Sequence, residues 1–105
     1  MAQFDVYANP TAASRDGYPY LVVLQSDQLD HLSTRLVMPL QRLERSHGDM
    51  PRRLAQWVSI AGEALHPAAH QCVAMPARLL RKPVASLVAE QGTLRDVIEA
   101  VISGV

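Results

Sequence analysis

Three stretches near the start of the chain decide the fold: QFDVYANP (residues 3–10), YPYLVVLQSDQLD (residues 18–30) and RLVMPL (residues 35–40). In the first, Phe4, Val6 and Ala8 alternate with Gln3, Asp5 and Tyr7. A period of two is that of a half-buried strand. Asn9-Pro10 ends it, because proline has no N–H to give to a ladder. Residues 10–17 are rich in Ala, Ser, Thr, Asp and Gly and read as a loop closing at Asp16-Gly17. Tyr18 to Gln25, dense in β-branched and aromatic residues, reads as a second strand antiparallel to the first. Arg35 to Leu40 is a third, with Leu36, Met38 and Leu40 on one face. Pro39 inside it predicts an edge position or a strand end.

Outward from these, Gln25-Ser26-Asp27 ends the second strand, and residues 27–34 form an irregular polar connection. Residues 41–53 carry Arg42, Arg45, Arg52 and Arg53 around His47-Gly48-Asp49 and read as a charged, solvated loop. Trp57 to Ala61 is a fourth strand, Gly62-Glu63 a turn, and Ala64 to His66 a fifth strand. Gln71 to Met75 is a sixth, stopped by Pro76. Residues 77–87 are ambiguous; ARLLRK suits a helical turn that Pro83 limits. The last segment is helical. Leu94, Val97, Ile98, Val101 and Ile102 fall at i, i+3, i+4, i+7 and i+8, one apolar stripe. Thr93 with Asp96 approximates a capping box. A start near Val88 is the alternative, and it would place Gly92 mid-helix at a cost of about 1 kcal/mol. Strands first and one helix last define an α+β domain over residues 1–105. A strongly bent antiparallel sheet, an SH3-like barrel with a C-terminal helix, hides the edges that many short strands expose.

The 105 residues, 49% of them apolar, suffice for one domain with a real core. At this size stability is roughly 5–15 kcal/mol, and association helps by covering apolar surface. Ten basic and ten acidic residues cancel. A protein that binds nucleic acid by neutralising phosphates carries a basic excess, so no direct nucleic-acid binding is expected. No apolar run reaches the ~18–20 residues of a membrane span, and no secretion signal precedes the first strand. A cytoplasmic location follows as the expectation. One cysteine, Cys72, cannot form an internal disulfide and reads as a buried structural thiol.

Few residues suggest chemistry. His66 and His70 stand four apart, but Pro67 disfavours a helix through both and no glutamate lies between them, so no metal is expected. No glycine-rich phosphate loop and no G-x-S-x-G elbow occurs. No cofactor is implied, and the chain reads as a non-enzyme. Trp57, the sole tryptophan, is expected in the core or an interface. The apolar stripe at Val97, Val101 and Ile102 exceeds what one short helix need bury, which predicts a homodimer through these residues.

The order and spacing of Gln3-Phe4, Val6-Tyr7, Gln25-Ser26-Asp27, Arg35, Val37 and Pro39-Leu40 resemble the CcdB family of toxins. Val58, Ile60, Glu63, Pro76, Val84, Leu87 and Gly104 extend the likeness over nearly the whole chain, apart from a longer loop at 10–17. The resemblance implies a dimeric toxin of a type II toxin–antitoxin module. It implies a CcdA-like antitoxin, and binding to the DNA gyrase A subunit that traps the cleaved DNA complex. In the family the helix ends Phe-Trp-Gly-Ile, and that tip meets gyrase. Here the same positions hold Ile102, Ser103, Gly104 and Val105, so Ser103 stands where the family has Trp. Glu99 stands for a family Asn. In the loop Ser26 matches, while Gln28 and Leu29 replace two exposed isoleucines. These eight residues are the expected target-binding site. A rival likeness, to MazF-type endoribonuclease toxins of the same barrel superfold, would give acid/base and phosphate roles to Arg35, Arg42, Arg45 and His47. A non-toxic relative that only captures an antitoxin is a third possibility.

Overall fold

A computed structural model of the chain describes residues 2–43 and 51–103. Arg45, His47, Gly48 and Asp49 of the charged loop, and Gly104 and Val105, lie outside the described residues. Within them the strands are β1 (Asp5–Ala8), β2 (Tyr20–Val23), β3 (Thr34–Arg42), β4 (Val58–Ile60), β5 (Glu63–Pro67), β6 (Val73–Pro76) and β7 (Ala85–Ser86). They form one antiparallel, barrel-like sheet in the order β4-β5-β3-β2-β1-β7, with β6 also on β3. A helix, α1 (Gln91–Ser103), closes the fold. This is the expected α+β architecture.

Pro39 corrects the expectation of an edge. β3 is the central strand, paired to β2 along one side over Val37 to Leu40. Its other side is divided: residues 34–37 pair with β6 and residues 40–42 with β5. The Pro39 carbonyl accepts a hydrogen bond from the Ala68 N–H at 2.9 Å on that divided side. A residue's N and C=O point to the same side of a strand. The missing donor therefore falls at the junction of β5 and β6, where no ladder partner asks for it.

The turn between β4 and β5 is Ala61-Gly62, one residue earlier than expected, and Glu63 opens β5. Both turn residues have positive φ, 51° and 83°. That is the backbone of a two-residue hairpin matched to strand twist, and Gly62 adopts it without Cβ strain. Phe4 also has positive φ, 70°, and stands just ahead of β1. Its N–H donates to Val23 O at 2.7 Å and its C=O accepts from Leu87 at 2.8 Å. Phe4 thus ties β2 to the segment entering the helix.

The core lies on both faces of the sheet. The larger cluster joins Phe4, Val6, Val22, Met38, Leu40, Val58, Ile60 and Leu65 to Leu94 and Val97 of α1. Alternation predicted that face for Phe4, Val6, Met38 and Leu40, but Leu36 and Ala8 at the strand ends are exposed. A smaller cluster of Tyr7, Leu21, Val23, Val37 and Leu80 fills the other face. Leu80 comes from the ambiguous segment, which forms a single turn (Ala77–Leu79) and then β7. Trp57 precedes β4 and is 59% exposed, so it is not a core residue. Cys72 is half-buried between a short turn and β6, and burial pushes its thiol pKa up. Few thiolates form under those conditions, which leaves it a weak nucleophile.

The helix starts ahead of Thr93. A single turn over Val88–Glu90 runs into α1 at Gln91, so Thr93 is not a cap and Gly92 lies inside. Leu94, Val97 and Ala100 are buried on the sheet. Leu94→Ala should cost about 2–5 kcal/mol in urea unfolding, as a cavity in the main cluster. Val101 lies seven residues further, nearly two turns and so on the same face, yet is 38% exposed. Val101→Ala should cost less than about 1 kcal/mol. Equal losses at both positions would mean that the two share one environment.

Candidate functional site

Two features fix the helix. Asp96 Oδ1 accepts from Arg53 Nη2 at 2.8 Å, and its Oδ2 accepts from Gln56 Nε2 at 2.6 Å. These bonds hold the Asp96 carboxyl below its usual range, the Arg53 bond being the larger cause. The expected cap role of Asp96 is replaced by this anchorage. On the other flank the Arg95 guanidinium sits 5.6 Å from the centre of the Phe4 ring, a cation–π contact.

Beyond Ala100 the described residues of the helix, Val101 to Ser103, are all exposed. Ile102 is 79% exposed, and Glu99 and Ser103 are exposed as well. A shallow groove of about 420 Å³ runs along this part of the helix, lined by Arg95, Ile98, Glu99 and Ile102. Ser103 Oγ donates to the Glu99 carbonyl at 2.7 Å. The hydroxyl therefore engages its own helix. Of the expected site residues, the structure gathers Glu99, Ile102 and Ser103 on one short length of helix.

Ser26, Gln28 and Leu29 form a separate turn (Asp27–Leu29). Ser26 Oγ caps it, accepting from the Gln28 N–H at 3.3 Å, and Leu29 is exposed. The turn is tied to β1 through Asp27, whose Oδ1 accepts from the Gln3 N–H at 2.8 Å. Gln3 precedes Phe4, so the segment just ahead of β1 links the turn to the flank of the helix. Arg95 and Ile98 of the groove were not singled out from sequence as site residues. Ile98 was visible only as a stripe residue, and Arg95 only as a charge off the stripe.

Val97 corrects the expected dimer interface. It is fully buried in the core of its own chain and has no surface to offer, whereas Val101 and Ile102 do. Two arginines of the nuclease reading, Arg35 and Arg42, are committed elsewhere; Arg45 and His47 lie outside the described residues. Arg35 is buried and holds the 30–34 loop, donating to Asp30 O at 2.7 Å, Thr34 O at 2.9 Å and Leu32 O, and pairing with the Asp30 carboxylate at 3.1 Å. Arg42 donates to Asp16 O at 2.7 Å and pairs with Glu63. A side chain locked into such bonds is poorly placed to hold a scissile phosphate.

His66 is buried, with Nδ1 3.2 Å from the Gln56 carbonyl, while His70 is exposed beside Gln71. Among the described residues no group of three or more His, Cys, Asp or Glu could hold a metal ion. No helix there is long and apolar enough to cross a membrane.

The fold is a small bent barrel with an exposed apolar residue, Ile102, near the end of its helix and with Arg35 and Arg42 engaged in structural bonds. The model of the CcdB protein family matches residues 3–104, and the chain belongs to that family. It is a family of toxins of toxin–antitoxin modules rather than of catalysts. Among curated proteins no relative matches.

Burial lowers the His66 pKa from 6.5. The unfolded chain then binds a proton more readily than the native one, so the contribution is complete above pH 6.5 and lost as pH falls through the native value. The Asp96 contribution is complete above pH 3.8 and is lost at still lower pH. The urea midpoint should therefore fall when pH drops below 6.5, and a His66→Asn variant should show a flatter profile there. A wild-type midpoint that rises on that descent would contradict the burial of a neutral imidazole.

Proposed function

We propose that this chain is the toxin of a type II toxin–antitoxin module. It binds the DNA gyrase A subunit, traps the cleaved DNA complex, and is neutralised by a CcdA-like antitoxin. The observation that carries the reading is the exposed helix end. Within a family of toxins, this chain holds Ile102 exposed past the last buried residue, Ala100, on a helix anchored through Asp96. An apolar end fixed to a rigid scaffold loses little entropy on entering a partner. The contact surface comprises Glu99, Ile102 and Ser103, continued by Gly104 and Val105, with Ser26, Gln28 and Leu29 as an outlying contact. The protein works in the cytoplasm as a homodimer joined near Val101 and Ile102. It makes and breaks no bond itself.

Ser103 sets the strength of the grip. A tryptophan hot spot contributes about 2–4 kcal/mol at an interface, roughly 30- to 1000-fold in affinity. A serine hydrogen-bonded to its own helix offers neither that area nor cation–π stacking. The native tip is therefore weak toward an ordinary gyrase and suits one with a compensating surface.

Expression without antitoxin should arrest growth and raise DNA double-strand breaks. Ile102→Asp should abolish both. Ser103→Trp should tighten binding to a purified gyrase A fragment by tens of fold and deepen killing. Killing without DNA breaks would move the target elsewhere. Normal growth with both the native chain and the Ser103→Trp variant would leave antitoxin capture as the function. Light scattering at micromolar concentration should give twice the chain mass, and a monomer would refute the paired form.

A further inference from the structure

β4 is the terminal strand of the sheet, and among the described residues β5 is its only partner. Ile60 and Glu63 flank the two-residue turn and are the hydrogen-bonded pair that closes it. Bonded and unbonded positions alternate along an antiparallel strand, so the N–H and C=O of Ser59 point away from β5. The Gln56 carbonyl faces His66 of β5, which turns the Trp57 N–H outward across the same trans peptide. By the same geometry the Trp57 carbonyl and the Ala61 N–H also point outward. Trp57, Ser59 and Ala61 are exposed, and among the described residues nothing bonds to these backbone groups. An open edge of this kind is a template for another strand.

Edge strands are ordinarily guarded by charges or prolines. The stretch from Ala55 to Gly62 has neither, in a chain that is 19% charged. Instead the edge opens with Trp57, the sole tryptophan, at 59% exposure. Val58 and Ile60 are buried in the main cluster, so the strand is held firmly from its inner face. Laid antiparallel against itself about Ser59, this edge is self-complementary. Ser59 exchanges both backbone bonds with Ser59 of the second copy. The Ala61 N–H meets the Trp57 carbonyl of the second copy, and symmetry repeats that bond. Each indole then stands opposite Ala61 and beside Gly62 of the other copy, where small residues leave it room. No like charges meet across the pairing, because the stretch carries none. A foreign strand finds the same backbone groups, but a second copy also sets a small residue opposite each indole.

We propose that the open edge of β4 pairs with the β4 edge of a second copy of this chain, about a two-fold axis at Ser59, and joins the two β4–β5 hairpins into one continuous sheet. The ladder is short and brings one aromatic from each copy, so the contact is weak and forms at high concentration. It is made by β4 and not by the helix end, so it neither needs nor blocks association near Val101 and Ile102. Two isologous contacts on one chain generate a closed tetramer or an open chain of copies.

The test uses the full chain from micromolar to millimolar concentration. Because Trp57 is the sole tryptophan, its emission reads this edge directly and should move to shorter wavelength as the indole leaves water. Over the same range the sedimentation mass should rise, and deuterium exchange at the Ser59 and Ala61 amides should slow several-fold. Ser59→Lys places two ammonium groups face to face on the axis and should cancel all three changes. Ser59 is exposed, and an unchanged thermal midpoint at micromolar concentration confirms that this variant is folded. Ile102→Asp should keep both the emission shift and the amide protection, which separates this contact from the helix end. A mass and an emission that stay constant up to millimolar chain would overturn the proposal. So would an emission shift that survives Ser59→Lys, or one that Ile102→Asp abolishes.

Discussion

The seating of Leu94, Val97 and Ala100 on the larger core face is the contact on which the rest of this molecule depends. Burying a Leu or Val is worth about 1.5–3 kcal/mol, a sizeable part of the stability of a domain this small. The same contact decides where the helix stops being supported. Leu94, Val97 and Ala100 are its buried positions, and Val101, Ile102 and Ser103 after them are exposed. Arg53 and Gln56 on one flank and Phe4 on the other fix the direction of that exposed end. A core interaction therefore sets the geometry of a surface.

The polar residues divide into two groups by the same logic. Arg35 is interior and satisfies loop carbonyls that would otherwise face a dry environment. His66 is interior and neutral, and it reads the carbonyl of the residue that also holds Asp96. By contrast, Arg15, Arg81 and Lys82 have no carboxylate among the described residues, and Glu99 stands on the exposed helix. Charges engaged in the fold and charges left on the surface are thus separated in space, although they look alike along the chain.

Most of the fold was legible because period two and period 3.6 are strong signals in Phe4–Ala8, Tyr18–Gln25 and Leu94–Ile102. The misreadings share a physical cause. Pro39 suggested an edge because sequence cannot show that a neighbouring ladder changes partner at that residue. Trp57 was expected in the core or an interface, and the core half fails because bulk alone does not say whether a strand has begun. Tyr7 was placed opposite Val6 correctly, but a second layer, Leu80, buries that side as well. At the helix end, Glu99, Ile102 and Ser103 were expected as contacts only through likeness to a family. The stripe itself misled at Val97, since equal spacing does not say where the supporting sheet runs out.

Pro39 has one more consequence. It withholds a donor where residues 68–72, with the turn Ala69–Gln71, separate β5 from β6 alongside β3, and each of those strands is held to its own short length. The longest strand of the protein is thereby denied a flat, uninterrupted neighbour of the kind that amyloid growth exploits. The ring that withholds one proton sits at the seam between two panels of the barrel wall.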